Sequence, residues 1–486
     1  MTIESISRYR HILTYSFSVV LALIMLGNER ANAAPNFVFI ITDDMNLADM
    51  AYMPNVNSQL IAQGANFVNS FTVDGLCCPS RVSTLTGQYA HNHGVYLNQP
   101  PDGAFDKFYL TGGENSTLAT WLQGAGYRTM LVGKYLNSYP MSTNQTYVPP
   151  GWSEWYGYMQ GGDAFNYWLN ENGTVVHHGS PTTVIETEYT TDVFSRITQD
   201  FITRSVSANT PFFAYVSALV PHSPATPAPR HAALFSTTKA PRPSSFNELD
   251  VTDKPLWLRN QKRMTTAAIT DNDNLYKSRL QSLQAVDEMV GGIVATLTNL
   301  GALNNTYIIF TSDQGLLMGE HRLSNTKGAA YEEVIHIPFV VRGPGVAAAS
   351  KPTRYYLNID TAPSLLALAG VTSIPTTIDG MVIDLKAPGS AKPISSRGDD
   401  PNRFLVEQVI DLNTSTLFLP AFNAAKTSRY TYMEYNTLEK ELYDNSKDPY
   451  QIKSIHTTAS ASLLQQLSVW INSLVTCKGA SCQTGR

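Results

Sequence analysis

Apolar runs of strand length recur along the chain and alternate with stretches that have helical spacing. The continuous run from Asn36 to Ile41 predicts a strand buried on both faces, and similar runs predict strands at 127–132, 211–219 and 307–310. Apolar residues with helical spacing predict a long helix from Leu275 to Gly301. Such alternation favours an α/β sandwich with a central, largely parallel sheet.

Polar residues follow these strands at the points where the strands end. Asp43 and Asp44 follow the first strand, Lys134 the second, His222 the third and Asp313 the fourth. In open α/β sheets, ligands bind at the carboxyl edge of the strands. A lone aspartate or lysine is usually a solvated loop charge, but the recurrence at successive strand ends predicts one shared site.

A shift in composition divides the chain. Proline, serine, glycine and aspartate gather at 375–400, after an apolar helix predicted at 362–368. We therefore predict a larger domain at 35–385, which carries the strand-end residues, and a smaller C-terminal domain at 386–486. Short strand candidates and a terminal amphipathic helix are predicted for the smaller domain.

Residues 1–34 have the pattern of a signal peptide. Arg8 and Arg10 precede an apolar stretch from Ile12 to Leu26, and Ala31–Ala33 resembles a small-residue cleavage site. The stretch is short for a membrane span. We predict cleavage and export, with no membrane attachment of the mature chain; an uncleaved N-terminal anchor is the alternative.

Composition limits the classes of partner. The 486 residues carry a formal net charge of −5 without a long run of lysine or arginine, so nucleic-acid binding is not expected. A polyanionic substrate would be met by a local basic pocket rather than by a basic face. The length is sufficient for a large buried core.

The four cysteines fit an exported protein. Cys477 and Cys482 close a short loop, which predicts a disulfide near the C-terminus. A zinc site is not expected there, because no second pair of ligands stands nearby. Sequons for N-glycosylation, which are permissive only, occur at Asn115, Asn144, Asn172, Asn304 and Asn413.

The segment Cys77–Gly87 carries the most specific pattern in the chain. Pro79 suits the first turn of a helix and Gly87 fits just past its end, which places Cys77 at a helix N-terminus. Backbone N–H groups there favour negative charge, and Arg81 adds a fixed cation one turn along. The arrangement suits a nucleophile that attacks an anionic ester; a buried small side chain or a disulfide partner is the alternative for Cys77.

This segment, Cys-x-Pro-Ser-Arg followed by Leu-Thr-Gly, resembles the signature of the sulfatase family, with every signature position filled. In that family the first cysteine is oxidised to formylglycine, an aldehyde, by a formylglycine-generating enzyme. The resemblance implies that Cys77 rather than Cys78 is modified, because only Cys77 stands two residues before Pro79 and four before Arg81. It also implies an alkaline-phosphatase-like fold, with a smaller C-terminal domain built on an antiparallel sheet.

Asp43, Asp44, Asp313 and Gln314 offer only oxygen ligands, which suit Ca²⁺ or Mg²⁺ rather than zinc. Adjacent Asp43 and Asp44 both reach one ion only if the strand end turns sharply, and an acidic turn without an ion is the alternative for this pair alone. The sulfatase resemblance implies that these four residues and the modified Cys77 hold one divalent cation, calcium rather than magnesium. Gln314 departs from the family, in which asparagine is commoner at this place.

The same resemblance implies roles around the sulfate group. Lys134 and Lys327 match family lysines that contact the sulfate, and Arg81 shares in stabilising its oxygens; surface lysine is the alternative reading for the pair. His222 matches the histidine that contacts the ester and protonates the leaving oxygen, a role suited to imidazole near neutral pH. Many sulfatases carry a histidine two residues after the first lysine, where this chain has Leu136, so the base for the last step is unassigned.

Further stretches, among them Gly-Lys-Tyr-Leu-Asn at 133–137 and Pro-Gly-Trp-Ser at 150–153, resemble the N-acetylglucosamine-6-sulfatase and arylsulfatase branch. The implied function is hydrolysis of a sulfated small molecule or glycan by a formylglycine hydrate at a divalent metal. A phosphodiesterase or phosphonate hydrolase of the same superfamily and a non-catalytic binder of sulfated glycans are the alternatives. Three histidines are left open between contacts near the site and ordinary polar packing: His91, His93 and His321.

Overall fold

The computed structural model describes residues 34–159, 164–392, 400–414 and 417–483. The predicted signal peptide at 1–34 lies outside the described residues, except for Ala34. Within the described ranges, no helix is both long and apolar enough to span a membrane.

Strands and helices alternate through the first two thirds of the chain, and short strands dominate the last third. The strands are β1 (Asn36–Thr42), β2 (Ala65–Asn66), β3 (Ser70–Phe71), β4 (Arg128–Gly133), β5 (Glu154–Tyr158), β6 (Asn166–Glu171), β7 (Thr174–Gly179), β8 (Phe212–Ser217), β9 (Thr306–Ser312), β10 (Leu317–Met318), β11 (Ser324–Thr326), β12 (Phe339–Arg342), β13 (Tyr356–Leu357), β14 (Phe404–Gln408), β15 (Leu412–Asn413), β16 (Phe418–Leu419), β17 (Phe422–Lys426), β18 (Tyr430–Tyr435) and β19 (Lys440–Asp444). The α-helices are α1 (Cys77–Thr86), α2 (Ala90–His93), α3 (Ala104–Leu110), α4 (Leu118–Gly124), α5 (Thr190–Ser207), α6 (Leu256–Arg259), α7 (Thr266–Asn299), α8 (Glu332–Ile335), α9 (Thr361–Leu368) and α10 (Ala461–Leu474). Short 3₁₀ segments lie at Leu47–Tyr52, Gly113–Asn115, Glu186–Glu188, Pro229–His231, Leu303–Asn305, Asn358–Asp360 and Gly479–Gln483, and a π-helical segment lies at Val56–Ile61.

A nine-stranded sheet forms the centre of the larger domain, in the order β2-β12-β9-β1-β8-β4-β5-β6-β7. The five strands from β9 to β5 are parallel to one another. At the two edges, β12 and β6 run antiparallel to that block, and β2 and β7 pair antiparallel with them. The predicted α/β sandwich with a largely parallel sheet is confirmed.

The central strand β1 is buried on both faces, as its continuous apolar run predicts. Phe37, Phe39 and Ile41 belong to the core on one face of the sheet, which includes apolar residues of α1, α4 and α9. Val38 and Ile40 belong to the core on the other face, with apolar residues of α5 and α7. The sheet is therefore the middle layer of three. Successive side chains of β1 point to opposite faces, so this one strand contributes to the cores on both sides of the sheet.

The C-terminal part contains a four-stranded antiparallel sheet in the order β14-β17-β18-β19. Helix α10 packs on it through an apolar cluster that comprises Ala425, Tyr432, Leu442, Leu467, Trp470 and Ile471. The other face of the sheet joins a core that also contains Phe71 and Tyr331 of the larger domain. The expected antiparallel sheet and terminal helix are thereby confirmed.

Gly133 ends β4 directly before Lys134 and is a point of close approach in the sheet. Its φ is +101°, and a Cβ at this position would lie 1.9 Å from the Ser217 carbonyl oxygen of β8. Gly126, in the turn before the same strand, has a φ of +89° but no atom within 4 Å of its Cβ position. Only glycine therefore permits both the backbone conformation and the strand contact at Gly133.

We expect Gly133→Ala to destabilise the fold more than the matched control Gly126→Ala. Positive φ alone costs the control variant about 1–2 kcal/mol. The Gly133 variant also separates β4 from β8, and overpacking of this kind adds about 1–3 kcal/mol. Urea midpoints of both variants and the parent measure the difference; equal midpoints would contradict the steric argument.

Candidate active site

Helix α1 begins at Cys77, as the sequence predicts, and all ten of its residues are buried. Leu76 before it is extended, and Gly87 after it adopts the left-handed conformation with a φ of +70°. The Leu76 N–H donates to Asp74 Oδ1 at 2.7 Å, which fixes the approach to the helix. Cys77 therefore lies at the N-terminal end of a helix in the interior, where backbone N–H groups favour negative charge.

Three carboxylates meet at the ends of two adjacent parallel strands. Asp43 and Asp44 follow β1, Asp313 follows β9, and Thr42 and Ser312 are paired in register. Asp44 has a φ of +66°, so the chain makes the sharp turn that allows both neighbouring carboxylates to face one point. One oxygen of each of the three lies within 4.8 Å of the others, which is the spacing of a candidate cation site.

Gln314 fits a cation site through an unpartnered atom. Its side-chain Oε1 is buried without a hydrogen-bond partner, while Nε2 donates to Asp44 Oδ1 and, at 3.4 Å, to Cys77 Sγ. The two ends of an amide are exchanged by a half-turn about its last bond. That turn directs the oxygen at the carboxylates, so the donor set consists of hard oxygens, as Ca²⁺ requires.

Arg81 connects the strands that carry the carboxylates. Its Nε donates to Asp313 Oδ2 at 2.7 Å and its Nη2 to Asp43 Oδ2 at 3.2 Å, and the side chain is fully buried. Nη1 donates to Ser217 Oγ at 2.7 Å, a contact that the sequence did not predict. Burial alone would lower the pKa of Arg81, but the carboxylates of Asp313 and Asp43 outweigh it and hold the pKa above its ordinary value.

Two lysines complete the set of cations. Lys134 forms an ion pair with Asp43, and Lys327 Nζ lies 2.6 Å from Asp44 Oδ1. Burial raises the pKa of Asp43, yet the charges of Lys134 and Arg81 outweigh that effect and place it below its usual range. Both lysines thus face the predicted site rather than bulk solvent, and three cations oppose three carboxylates.

Asp313 differs from Asp43 in its protonation equilibrium. Burial and the neighbouring charge of Asp43 raise the pKa of Asp313, while Arg81 acts in the opposite direction. For Asp44, burial raises the pKa but is outweighed by Lys327 and His222, so the pKa is lowered. The pKa values of Asp43 and Asp44 are therefore lowered while that of Asp313 is raised, as is typical of like charges that lie close together.

The thiol of Cys77 lies inside this set of charges. Lys327 Nζ is 2.8 Å and Asp43 Oδ1 3.5 Å from Sγ. Burial and the charge of Asp43 raise the pKa of the thiol to about 11, so an unmodified Cys77 stays protonated at neutral pH. A protonated thiol is a poor nucleophile, so an unmodified Cys77 is poorly suited to attack an ester.

His222 lies at the mouth of the site, with 42% of its side chain exposed and Nε2 3.7 Å from Asp44 Oδ2. Its Nδ1 is 2.7 Å from the Ser223 carbonyl oxygen, which accepts a hydrogen bond from the Nδ1–H and so fixes the ring orientation. A pocket of about 360 Å³ opens beside it. Its described lining includes Asp43, Lys134, Leu136, Asn137, Tyr158, Leu219 and His222.

The three further histidines are all in ordinary polar packing. His91 Nδ1 lies 3.0 Å from both oxygens of Glu407, which links α2 to β14. His93 Nε2 is 3.0 Å from Ser83 Oγ, and His321 is stacked on Tyr331 at 4.1 Å between ring centroids. His91 Nε2 also lies 3.1 Å from the Cys477 carbonyl oxygen, and the hydrogen bonds and ring contacts found for the three involve none of the predicted catalytic or cation-binding residues.

The four cysteines comprise one disulfide and two free thiols. Cys477 and Cys482 form a disulfide with an S–S distance of 2.01 Å. Cys77 and Cys78 are both free and buried. Only Cys77 contacts the carboxylates and lysines of the site, whereas the Cys78 N–H donates to Asn98 Oδ1 at 2.8 Å.

Comparison with known proteins gives the family. The Sulfatase family matches residues 35–371. The arylsulfatase of Volvox carteri is 32% identical over 96% of this chain and 79% of its own length. The N-acetylglucosamine-6-sulfatase of Homo sapiens is 31% identical over 96% of this chain and 91% of its own length.

A solved structure of a protein in complex with its substrate D-glucosamine-2-N,6-O-disulfate has a TM-score of 0.74 and 23% identity, over 90% of this chain and 97% of that chain. This likeness concerns the fold alone. The family match covers the strands, the helix and the charged side chains that build the site. This chain therefore belongs to the sulfatase family, and it is a sulfuric ester hydrolase.

Proposed function

We propose that this chain hydrolyses sulfate esters with formylglycine, formed from Cys77, as the nucleophile, and with one Ca²⁺ held by Asp43, Asp44, Asp313 and Gln314. The observation that carries the proposal is the position of Cys77 Sγ, 2.8 Å from Lys327 Nζ and 3.5 Å from Asp43 Oδ1. The nucleophile position thus lies within hydrogen-bond distance of a candidate cation ligand and of a cation for the sulfate oxygens.

The modified residue, once hydrated beside the cation, supplies an oxygen nucleophile and a second hydroxyl through which sulfate departs. Arg81 and Lys134 hold the Asp43 carboxylate in its ionised form, and Lys327 does the same for Asp44. The ammonium groups of Lys134 and Lys327 also provide charge for the sulfate oxygens in the transition state. These groups are fixed by buried ion pairs, so little reorganisation is required when charge develops.

His222 is the proposed acid for the leaving oxygen. With Nδ1 directed at the Ser223 carbonyl, Nε2 is the ring atom that faces Asp44 and the pocket. A protonated Nε2 can donate to the ester oxygen as the bond to sulfur breaks. Its partly exposed position allows the ring to regain a proton from solvent between turnovers.

We propose aryl sulfates and N-acetylglucosamine 6-sulfate, alone or at the end of a glycan, as substrates. The names of the two relatives given above describe enzymes that act on esters of these kinds. The pocket beside His222 has a volume of about 360 Å³. Among the described residues that line it, Lys134 is the one lysine or arginine. This lining favours an ester that carries one sulfate at the site over a polyanionic chain.

We further propose that a formylglycine-generating enzyme converts Cys77 before folding, on a chain that is exported. Cys77 is 0% exposed, and the helix that carries it is buried throughout. An enzyme that oxidises this residue has access to it only in the unfolded chain. A relative from Drosophila melanogaster whose name describes an extracellular sulfatase is 35% identical over 74% of this chain and 32% of its own length, which is consistent with export.

Cys77→Ser is expected to allow at most one turnover. The serine hydroxyl can accept the sulfuryl group, but it lacks the second hydroxyl through which the sulfate is expelled. Mass spectrometry of the peptide around position 77 should find formylglycine in the parent and a trapped sulfate ester in the variant. Cys78→Ser, a neighbouring free thiol, is the control and should keep sustained turnover.

Multiple turnovers by Cys77→Ser would contradict the formylglycine mechanism. An unmodified thiol at position 77 in active material would contradict it as well. A parent enzyme that cleaves an aryl phosphodiester faster than the matching aryl sulfate would favour the phosphodiesterase alternative.

Chelation of divalent cations is expected to abolish activity, and Ca²⁺ should restore it more fully than Mg²⁺. Asp313→Asn removes one charge from the donor set, so Kd for Ca²⁺ should rise at least about tenfold. Asp200→Asn, which changes an exposed partner of Arg204, is the control and should leave Kd unchanged. Full activity of the chelated enzyme would overturn the metal assignment.

His222→Gln is expected to impair sugar esters more than aryl esters. An alkoxide leaving group needs a proton, so kcat/KM for N-acetylglucosamine 6-sulfate should fall by about 10²–10⁴-fold. For 4-nitrophenyl sulfate, whose phenolate leaves without a proton, the fall should be far smaller. His177→Gln, at an exposed histidine paired with Asn166, is the control; equal losses on both esters would contradict the role as an acid.

A further inference from the structure

Arg279 is fully buried on helix α7 and holds together two of the loops that build the site. Its Nη2 donates to the Asp44 carbonyl oxygen at 2.5 Å and to Asn46 Oδ1 at 3.0 Å. Its Nη1 donates to the Pro221 carbonyl oxygen at 3.1 Å. One guanidinium therefore joins the loop after β1 to the loop after β8.

The two carbonyl groups that accept hydrogen bonds from Arg279 belong to a site residue in one case and to the neighbour of a site residue in the other. The first belongs to Asp44 itself, whose positive φ of +66° lies in the left-handed region that residues other than glycine uncommonly adopt. The second belongs to Pro221, the residue before His222. The distance of 3.7 Å between His222 Nε2 and Asp44 Oδ2 depends on how these two loops are placed relative to each other.

Arg279 acts through these residues and not on the substrate. Its side-chain hydrogen bonds end on the Asp44 and Pro221 carbonyls and on Asn46, and Asp49 Oδ2 lies 3.5 Å from Nη2 as the opposing charge. Asn46 in turn donates to the Leu316 carbonyl oxygen at 2.7 Å, in the segment that follows Gln314. The network thus extends from α7 to all three strand ends that carry oxygen ligands or the acid.

The geometry points to Arg279 as a positioning residue that sets Asp44 as a cation ligand and His222 as an acid in one arrangement. This inference rests on the proposed function. The planar fork of the guanidinium offers a separate nitrogen to each carbonyl oxygen, Nη2 to Asp44 and Nη1 to Pro221. A lysine at this position keeps the charge opposite Asp49 but has one nitrogen, so it cannot connect the two loops in the same way.

The test is direct calcium binding by the full-length, calcium-stripped enzyme, measured by isothermal titration calorimetry. Outer partners of metal ligands typically contribute tenfold to hundredfold in affinity, so Kd for Ca²⁺ should rise about 10–100-fold in Arg279→Lys. The matched control is Gln284→Met on the same helix, where Nε2 donates to the Tyr52 carbonyl oxygen at 3.0 Å. Its Kd should stay within about twofold of the parent.

A second readout separates positioning from general stability. At saturating Ca²⁺, Arg279→Lys should lose more kcat on N-acetylglucosamine 6-sulfate than on 4-nitrophenyl sulfate, because a displaced His222 affects only the ester that needs an acid. If Arg279 only stabilises the fold, both variants lower the melting temperature, and neither shifts Kd or the ratio of the two rates. That outcome overturns the inference.

Two further outcomes keep the inference distinct from the proposed function. If the parent enzyme releases no sulfate from any ester, the proposed function is overturned. If Arg279→Lys in that case still binds calcium more weakly than the parent, the positioning of Asp44 by Arg279 is supported. If Arg279→Lys does not fold, Asn46→Leu, which removes one acceptor and leaves the guanidinium, should raise Kd by a smaller factor. An unchanged Kd in Asn46→Leu then overturns the inference.

Discussion

The rest of the structure depends on one constraint, which is the pairing of buried opposite charges. Three carboxylates and three cationic side chains are packed at the carboxyl edge of one sheet. A buried charge is tolerated only when it is paired and hydrogen-bonded. Arg81 satisfies two carboxylates from two different strands, so its contacts fix the spacing of β1 and β9 at their ends as well as the charge of the site. Removal of any one of these charged side chains leaves the buried positive and negative charges unbalanced.

The scaffold meets this constraint with rigid elements. The carboxylates follow central parallel strands that are buried on both faces, and Cys77 begins a helix whose ten residues are all buried. Ser80 Oγ donates to the Asp313 carbonyl oxygen at 2.5 Å, and the Asn358 side-chain amide donates to the Ser80 carbonyl oxygen at 3.1 Å. The helix, the strand end and a distant loop are thus held together, so the backbone connects the position proposed for the nucleophile with those proposed for the cation ligands.

The sequence predicts those site residues that lie within short, recognisable sequence patterns. The Cys77 segment, the aspartates after apolar strands and the two lysines in glycine-bounded contexts belong to this class. Arg279 does not, because nothing in a helical sequence distinguishes an arginine that points at a carbonyl 235 positions away from one that faces solvent. Helix α5 is not among the predicted elements, although it carries apolar residues at the helical spacing that indicates a helix, including Val193, Phe194 and Phe201. The antiparallel extension β5–β7 has a partly exposed edge strand and therefore no clear apolar signal.

Residue type alone does not decide whether the side-chain amide of Gln314 binds a cation. Compared with asparagine, glutamine places its amide one methylene further from the backbone, and here that amide lies between Asp44 and Cys77. The nitrogen of the amide can donate to a carboxylate, and after a half-turn its oxygen can bind a cation at the same place. Because Oε1 is buried without a partner, the orientation with the nitrogen inward leaves one polar atom unsatisfied, which costs about 1–3 kcal/mol. In the opposite orientation the oxygen would face the carboxylates, an arrangement that only a bound cation makes favourable, so the role proposed for Gln314 depends on the metal.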